Sequence, residues 1–319
     1  MYSRILVPLD GSDLSENVLP FAITLGQALE CPIALLRIPE NVPLYASGDF
    51  EVIPAAYTAL SDEERKAECE EYLEGLAGTI REKGLEVSTV VRIGMPGHEI
   101  VEEAAVSDNT VVAMASHGRS GISRWVMGSV ADEVLRNSTS PLLLVRPQES
   151  GEVAAGTPVN RIIVPVDGSA LAEQVFPHVA DLAKAFNTKV DLVRVTASAS
   201  EYYRQSAVYS TGGTTAEYIP PYEEFSEAAD SEAQTYLGEA QTRMESLGVS
   251  PVEGHLVHGQ PAVVVADLAQ ADSGSMVVIA THGRSGIGRW VLGNVADSVA
   301  RHSGCPVLLV RAQEETQKS

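Results

Sequence analysis

Nine residues near the amino end, RILVPLDGS (Arg4 to Ser12), return as RIIVPVDGS (Arg161 to Ser169). Further matches follow in the same order in both halves. IALLRI (Ile33 to Ile38) pairs with VDLVRV (Val190 to Val195), and PLLLVR (Pro141 to Arg146) with PVLLVR (Pro306 to Arg311). Ordered repetition of this kind means tandem copies of one folding unit. The 319 residues accommodate two units, since about 150 residues suffice for a domain with its own core. Equivalent residues stand 157 apart at Asp10/Asp167 and 165 apart at Gly94/Gly259, so the second copy carries eight extra residues between these points. The expected boundaries are 1–147 for the first unit, 148–160 for a linker, 161–312 for the second unit and 313–319 for a tail. The linker, QESGEVAAGTPVN, is small, polar and aperiodic.

Within a copy, short apolar runs alternate with longer amphipathic ones. RILVPL, IALLRI, EVSTVVRI, TVVAMAS and PLLLVR read as strands, most of them too apolar for a sheet wetted on one face. Glu16 to Leu29, Glu63 to Glu82, His98 to Ala105 and Ser129 to Asn137 read as helices. Ser12 and Ser169 are placed to cap the first helix of each copy, and Gly84 and Gly248 to end the second. The alternation predicts an α/β fold: two tandem doubly wound parallel five-stranded sheets, Rossmann-like, with helices on both faces. A ligand belongs at the carboxyl ends of the strands, where the strand order reverses.

The formal net charge of -21 removes one class of partner. A chain with 43 acidic and 22 basic residues lacks the basic face that binding to a nucleic-acid backbone requires. No apolar run approaches the roughly 20 residues needed to span a bilayer. Cys31, Cys69 and Cys305 are scattered and without CxxC spacing, so neither a disulfide framework nor a zinc site is expected from them. The expectation is a cytoplasmic protein with no membrane and no nucleic-acid partner.

Against this acidic background one stretch is free of carboxylates, and it too is duplicated. ASHGRSGISRWVMGSV (Ala115 to Val130) returns as ATHGRSGIGRWVLGNV (Ala280 to Val295), each between a strand and a helix. Exposed amides of a glycine loop and a helix N-terminus form an anion site. The dipole contributes about 0.3–1 kcal/mol, up to about 2 when partly buried, and Arg119, Arg124, Arg284 and Arg289 add charge. There is no GxxxxGK[ST], and no GxGxxG after the first strand. The competing reading is a tight turn that needs positive φ.

These motifs together resemble the universal stress protein family, whose nucleotide-binding members carry Gly, two residues, Gly, nine residues, then Gly with Ser or Thr. Copy one reads Ala115, two residues, Gly118, nine residues, Gly128-Ser129; copy two reads Ala280, two residues, Gly283, nine residues, Gly293-Asn294. The resemblance implies a doubly wound fold that binds ATP or another adenine nucleotide, with or without Mg²⁺, and dimerises through its last strand. It implies that Asp10 and Asp167 meet the adenine or ribose end, with Pro8 and Pro165 shaping the strand ends and Ile38 and Val195 packing on the base. It implies that Gly118, Gly128 and Ser129, and Gly283, Gly293 and Asn294, cradle ribose and phosphates. His117, Arg119, His282 and Arg284 in the loops, and Val130 and Val295 in the following helices, complete the candidate set. Ala115 and Ala280 replace a family glycine, at a cost of about 1–2 kcal/mol where the backbone is left-handed.

Several residues carry a second reading. Asp10 is also a turn residue before the first helix, and Trp125 and Trp290 read as packing residues. The tyrosine-rich segment Thr196 to Tyr236 is a lid over site two, an interface arm, or a disordered loop. Glu63, Glu64, Glu68, Glu70, Glu71 and Glu74 form a solvated helix face. No catalytic residue and no metal ligand is assigned. The leading function is a nucleotide-binding stress or signalling regulator; the rivals are a slow ATP hydrolase or adenylyl transferase using Asp10 or His117, and a nucleotide-free scaffold. The two copies are expected to pair antiparallel along PLLLVR and PVLLVR as an intrachain pseudo-dimer, with a homodimer of such chains as a further level.

Overall fold

The computed structural model describes residues 2–39, 62–115, 128–146, 159–210, 221–281 and 292–312. The first half runs β1 (Arg4–Leu9), α1 (Asp13–Glu16), α2 (Leu19–Leu29), β2 (Ile33–Arg37), α3 (Asp62–Arg81), β3 (Val87–Val91), α4 (Pro96–Ala105), β4 (Thr110–Ala115), α5 (Ser129–Asn137) and β5 (Leu142–Val145). The second runs β6 (Arg161–Pro165), α6 (Ala170–Glu173), α7 (Phe176–Phe186), β7 (Lys189–Thr196), α8 (Ala199–Ser210), α9 (Tyr222–Ser246), β8 (Val252–His258), α10 (Pro261–Gln270), β9 (Ser275–Ala280), α11 (Asn294–His302) and β10 (Val307–Val310). Residues 148–158 of the expected linker and the expected tail, 313–319, lie outside the described residues.

The strands form one ten-stranded sheet in the order β3-β2-β1-β4-β5-β10-β9-β6-β7-β8. Every pairing is parallel except β5 with β10, where Leu142, Leu143 and Leu144 oppose Leu309, Leu308 and Val307 in antiparallel register. Each half is thus a five-stranded doubly wound parallel sheet, and the expected pairing of PLLLVR with PVLLVR is the join. That join covers two strands that would otherwise be open edges.

Successive side chains of a strand point to opposite faces, and the core divides accordingly. Ile5, Val7 and Leu9 of β1 enter one apolar layer, which α2, α3, α7 and α9 cover. Leu6 enters the other, with Ile100 and Ala104 of α4, Val134 of α5, Val265 of α10 and Val299 of α11. Both layers hold residues from both halves. Tyr2 and His178 reinforce the join on the first face, with a 2.7 Å hydrogen bond between the Tyr2 hydroxyl and His178 Nδ1 and rings stacked at 5.6 Å. Arg311 Nη1 donates to the Ser138 carbonyl across the join at 3.0 Å.

Two expectations about elements change. The helix expected over Glu16 to Leu29 is broken into α1 and α2, and its repeat into α6 and α7. Pro20 and Pro177 sit at the start of the second piece, where a missing N–H costs nothing, but each would break a continuous helix. Ser12 and Ser169 do cap the short pieces, accepting from Ser15 N and Ala172 N at 3.1 Å. The tyrosine segment, far from disordered over its described part, contains α8 and the start of α9. Tyr202 is buried there, stacked on Phe225 at 4.5 Å and edge-on to Tyr203 at 5.3 Å. The glutamates of α3 named above are exposed, as a solvated face requires.

Candidate functional site: a crevice at the carboxyl ends of the strands

Strand order reverses between β1 and β4 in the first half and between β6 and β9 in the second. β1 pairs with β4 only from Arg4 to Leu6, although it continues beside β2 to Leu9. β6 likewise pairs with β9 only from Arg161 to Ile163. Pro8 and Pro165 follow these last paired residues and have no N–H with which to extend a ladder. Beyond them the strands part, which is how a doubly wound sheet opens a crevice. Pro8, Pro165, Ala115 and Ala280 therefore occupy strand ends around the crevice.

The loop after β1 is fixed by local hydrogen bonds. Asp10 Oδ1 accepts from Ser12 N at 2.9 Å and from Ser12 Oγ at 2.5 Å. Asp167 Oδ1 accepts from Ser169 N at 2.9 Å and Ser169 Oγ at 2.6 Å. Asp10 is exposed and Asp167 half-buried. The turn reading of Asp10 holds: its carboxylate organises the loop that follows β1. Gly11, at φ +81, lets the loop turn, and Gly168 does the same at φ +84. The Arg37 guanidinium lies so close to Gly11 that a Cβ there would come within 2.0 Å of Nη1.

Helices α5 and α11 start on the other side of the crevice. Their N-caps, Gly128 and Gly293, have φ of -61° and -58° and provide no side-chain cap to the first-turn amides. Any L-residue can adopt these angles, so the tight-turn reading does not account for glycine at either cap. Among the described residues no side chain caps the first-turn N–H groups, which are the groups a helix offers to an acceptor from outside it. Gly293 N donates to the Thr281 carbonyl at 2.8 Å, which ties the start of α11 to the end of β9. Ser129 and Asn294 are the first helical residues and are exposed. They hold equivalent places, so the exchange of hydroxyl for amide changes the chemistry and not the position.

Ala115 and Ala280 close β4 and β9 in strand conformation, and neither is among the residues of positive φ. The left-handed penalty therefore does not apply to either alanine. Ile38 is buried in the second apolar layer, with Val130 half-buried against it; Val195 and Val295 hold the corresponding places in the second half. His117, Gly118, Arg119, His282, Gly283 and Arg284 lie outside the described residues, as do Trp125 and Trp290.

Behind the loop is a polar cluster that local sequence patterns miss. The Tyr72 hydroxyl donates to Glu16 Oε1 at 2.7 Å, and the Arg37 guanidinium lies over the Tyr72 ring at 4.5 Å while Nε donates to Cys69 Sγ at 3.2 Å. In the second half Arg243 Nη2 donates to Glu173 at 2.7 Å and its guanidinium faces the Tyr236 ring at 5.8 Å. Burial first, then the neighbouring Glu16 or Glu173, pushes each phenol above its ordinary pKa, so each stays neutral. The signal that could have found the cluster is retention of Glu16/Glu173 at the Asp10/Asp167 offset, together with Tyr72-Leu73 against Tyr236-Leu237. The cysteines offer no nucleophile here: all three are free and buried, and burial pushes Cys31 and Cys305 up to about 11.

Fold and crevice define the class: a tandem doubly wound α/β protein whose halves each present a glycine-capped helix N-terminus and an aspartate turn at the switch point. The model of the universal stress protein family matches residues 1–146 and again 158–311. The chain belongs to the universal stress protein family. A universal stress protein of Methanocaldococcus jannaschii is 30% identical over 149 residues, 46% of this chain and 83% of its own length. The universal stress protein YxiE of Bacillus subtilis is 29% identical over 148 residues, 46% of this chain and all of its own. A universal stress protein from Archaeoglobus fulgidus has the same fold at 18% identity, with a TM-score of 0.67 over 97% of this chain and 98% of its own. Among the described residues no helix is long and apolar enough to cross a membrane.

Proposed function

We propose that each half binds an adenine nucleotide, ATP foremost, in the crevice between the aspartate turn and the helix start, and that occupancy makes the protein a cytoplasmic stress or signalling regulator. The observation that carries this reading is that α5 and α11 each start on a glycine whose backbone angles do not call for glycine, and that among the described residues no side chain caps their first turns. A glycine there leaves room and uncapped amides for an anion. Asp10 and Asp167 accept hydrogen bonds at the adenine or ribose end, Ile38 and Val195 supply apolar contact, and Ser129 or Asn294 adds a donor beside the phosphates. Titration with ATP in the presence and absence of Mg²⁺ distinguishes a metal complex from the free nucleotide.

Binding without efficient turnover is supported by the state of Asp10, whose Oδ1 already accepts two hydrogen bonds from Ser12. A general base must reach a water held in line with the γ-phosphate, and this carboxylate is occupied in building its own turn. The test is mass spectrometry of the supernatant after purified protein is denatured. ATP, ADP or a cyclic adenine nucleotide in stoichiometric amount is expected; protein that releases none and gives no heat on mixing with ATP contradicts the reading.

A further inference from the structure

The second half contains a cluster with no counterpart in the first. Asp191 of β7 stands in register with Glu253 of β8, and Val193 with His255, so Asp191, Glu253 and His255 share one face of two adjacent strands. Their ligand atoms lie within 4.8 Å of one another. His255 Nε2 is 3.5 Å from Asp191 Oδ1 and 3.6 Å from Glu253 Oε2. Asp191 is wholly buried, and among the described residues neither its Oδ1 nor His255 Nε2 has a hydrogen-bond partner. Its Oδ2 accepts from Arg161 Nε, which fixes the carboxylate with Oδ1 turned towards the histidine. The positions that match in the first half are Ala34, Ser88 and Val90, none of them a metal ligand. Arg4, the counterpart of Arg161, is paired instead with Glu103 of α4.

We propose that Asp191, Glu253 and His255, in the amino-terminal halves of β7 and β8, bind a divalent transition-metal ion of the Zn²⁺ type. Carboxylate oxygens and an imidazole nitrogen are both zinc donors, three protein ligands leave a fourth place for water, and bonds of about 2.1 Å put tetrahedral ligands about 3.4 Å apart. The separations from the imidazole nitrogen match that edge. Two atoms that lack a partner at this spacing are what a cation between them would satisfy. Arg161, bound to the far oxygen, acts as the outer contact that orients a ligating carboxylate. Lys189 Nζ, 3.8 Å from both carboxylates and half-exposed, is the mobile cation that the metal displaces.

The competing account is a plain polar network of Arg161, Lys189 and His255 around the two acids. Chelator-treated full-length protein titrated with CoCl₂ at neutral pH separates the two. One equivalent of Co²⁺ per chain should develop the intense visible bands of four-coordinate cobalt, and ZnCl₂ should abolish them. His255→Gln, at a half-exposed position that leaves the core intact, should lose the bands while keeping the wild-type circular dichroism. Lys189→Gln should bind Co²⁺ several-fold more tightly, and His258→Gln, whose ring pairs with Asp230 instead, should be unchanged. Absence of four-coordinate bands in the wild type, their survival in His255→Gln, or no tightening in Lys189→Gln overturns the proposal.

Discussion

Gly11 is the residue on which the first crevice most depends, for two independent reasons. Its φ of +81 is disfavoured for any side chain, and its missing Cβ is where the Arg37 guanidinium lies. Gly11→Ala therefore strains the turn and displaces Arg37 from Tyr72. We expect a loss of about 1–3 kcal/mol, read from the shift of the urea midpoint at unchanged slope; a shift under a few tenths of that range contradicts the role given to the turn. The aspartate-glycine-serine turn itself is legible in DGS and in its repeat. The pairing of Glu16 with Tyr72 is not, because the two are brought together by strand order and no local period connects them. Ala115 shows the opposite limit: as a letter it suggests a defect in the glycine motif, whereas its strand backbone makes alanine unstrained.

Among the elements, α7 carries the one described histidine whose titration bears on the join. Burial holds His178 below its ordinary value of 6.5, with Asp181 opposing, and its Nδ1 meets the Tyr2 hydroxyl. The unfolded chain consequently binds more protons than the folded one between the lowered value and 6.5, so stability rises with pH across that window and falls on acidification through it. We expect the melting temperature to drop between pH 7.5 and 5.5 by more in the wild type than in His178→Gln. An equal drop in both would show that the ring titrates freely. The inner strands were readable because each is a short apolar run buried on both faces, as in β4, β5, β9 and β10. The break between α1 and α2 is not legible in the apolar period, which runs through Pro20; only the missing amide decides against continuity.

For the molecule as a whole, two repeats share one sheet and two apolar layers. Leu143 and Leu308 face each other across the join and are almost wholly buried. Leu143→Ala is expected to cost about 2–5 kcal/mol, as a displacement of one unfolding transition that covers both halves. Two separate transitions, with only the first moved, would mean that the halves are independent domains that merely touch. Duplication and the antiparallel join could be read from ordered repeats and from two exposed edge strands that need cover. The asymmetry between halves could not: the Asp191 cluster departs from the repeat, with Ala34, Ser88 and Val90 at the matching positions, and repetition reveals only what is kept.

The central claim, an anion held at each glycine-capped helix start, is open to a substitution that separates folding from binding. Gly128→Asp and Gly293→Asp fit the existing backbone angles, and aspartate is a better N-cap than glycine by a few tenths of a kcal/mol or about that. Each should preserve or slightly raise stability while filling the first-turn amides with a carboxylate that repels phosphate. Calorimetric titration of nucleotide-stripped protein with ATP should give two equivalents per chain for the wild type, one for either single variant and none for the double variant. No binding by the wild type, or two equivalents retained in the double variant, would contradict the nucleotide assignment.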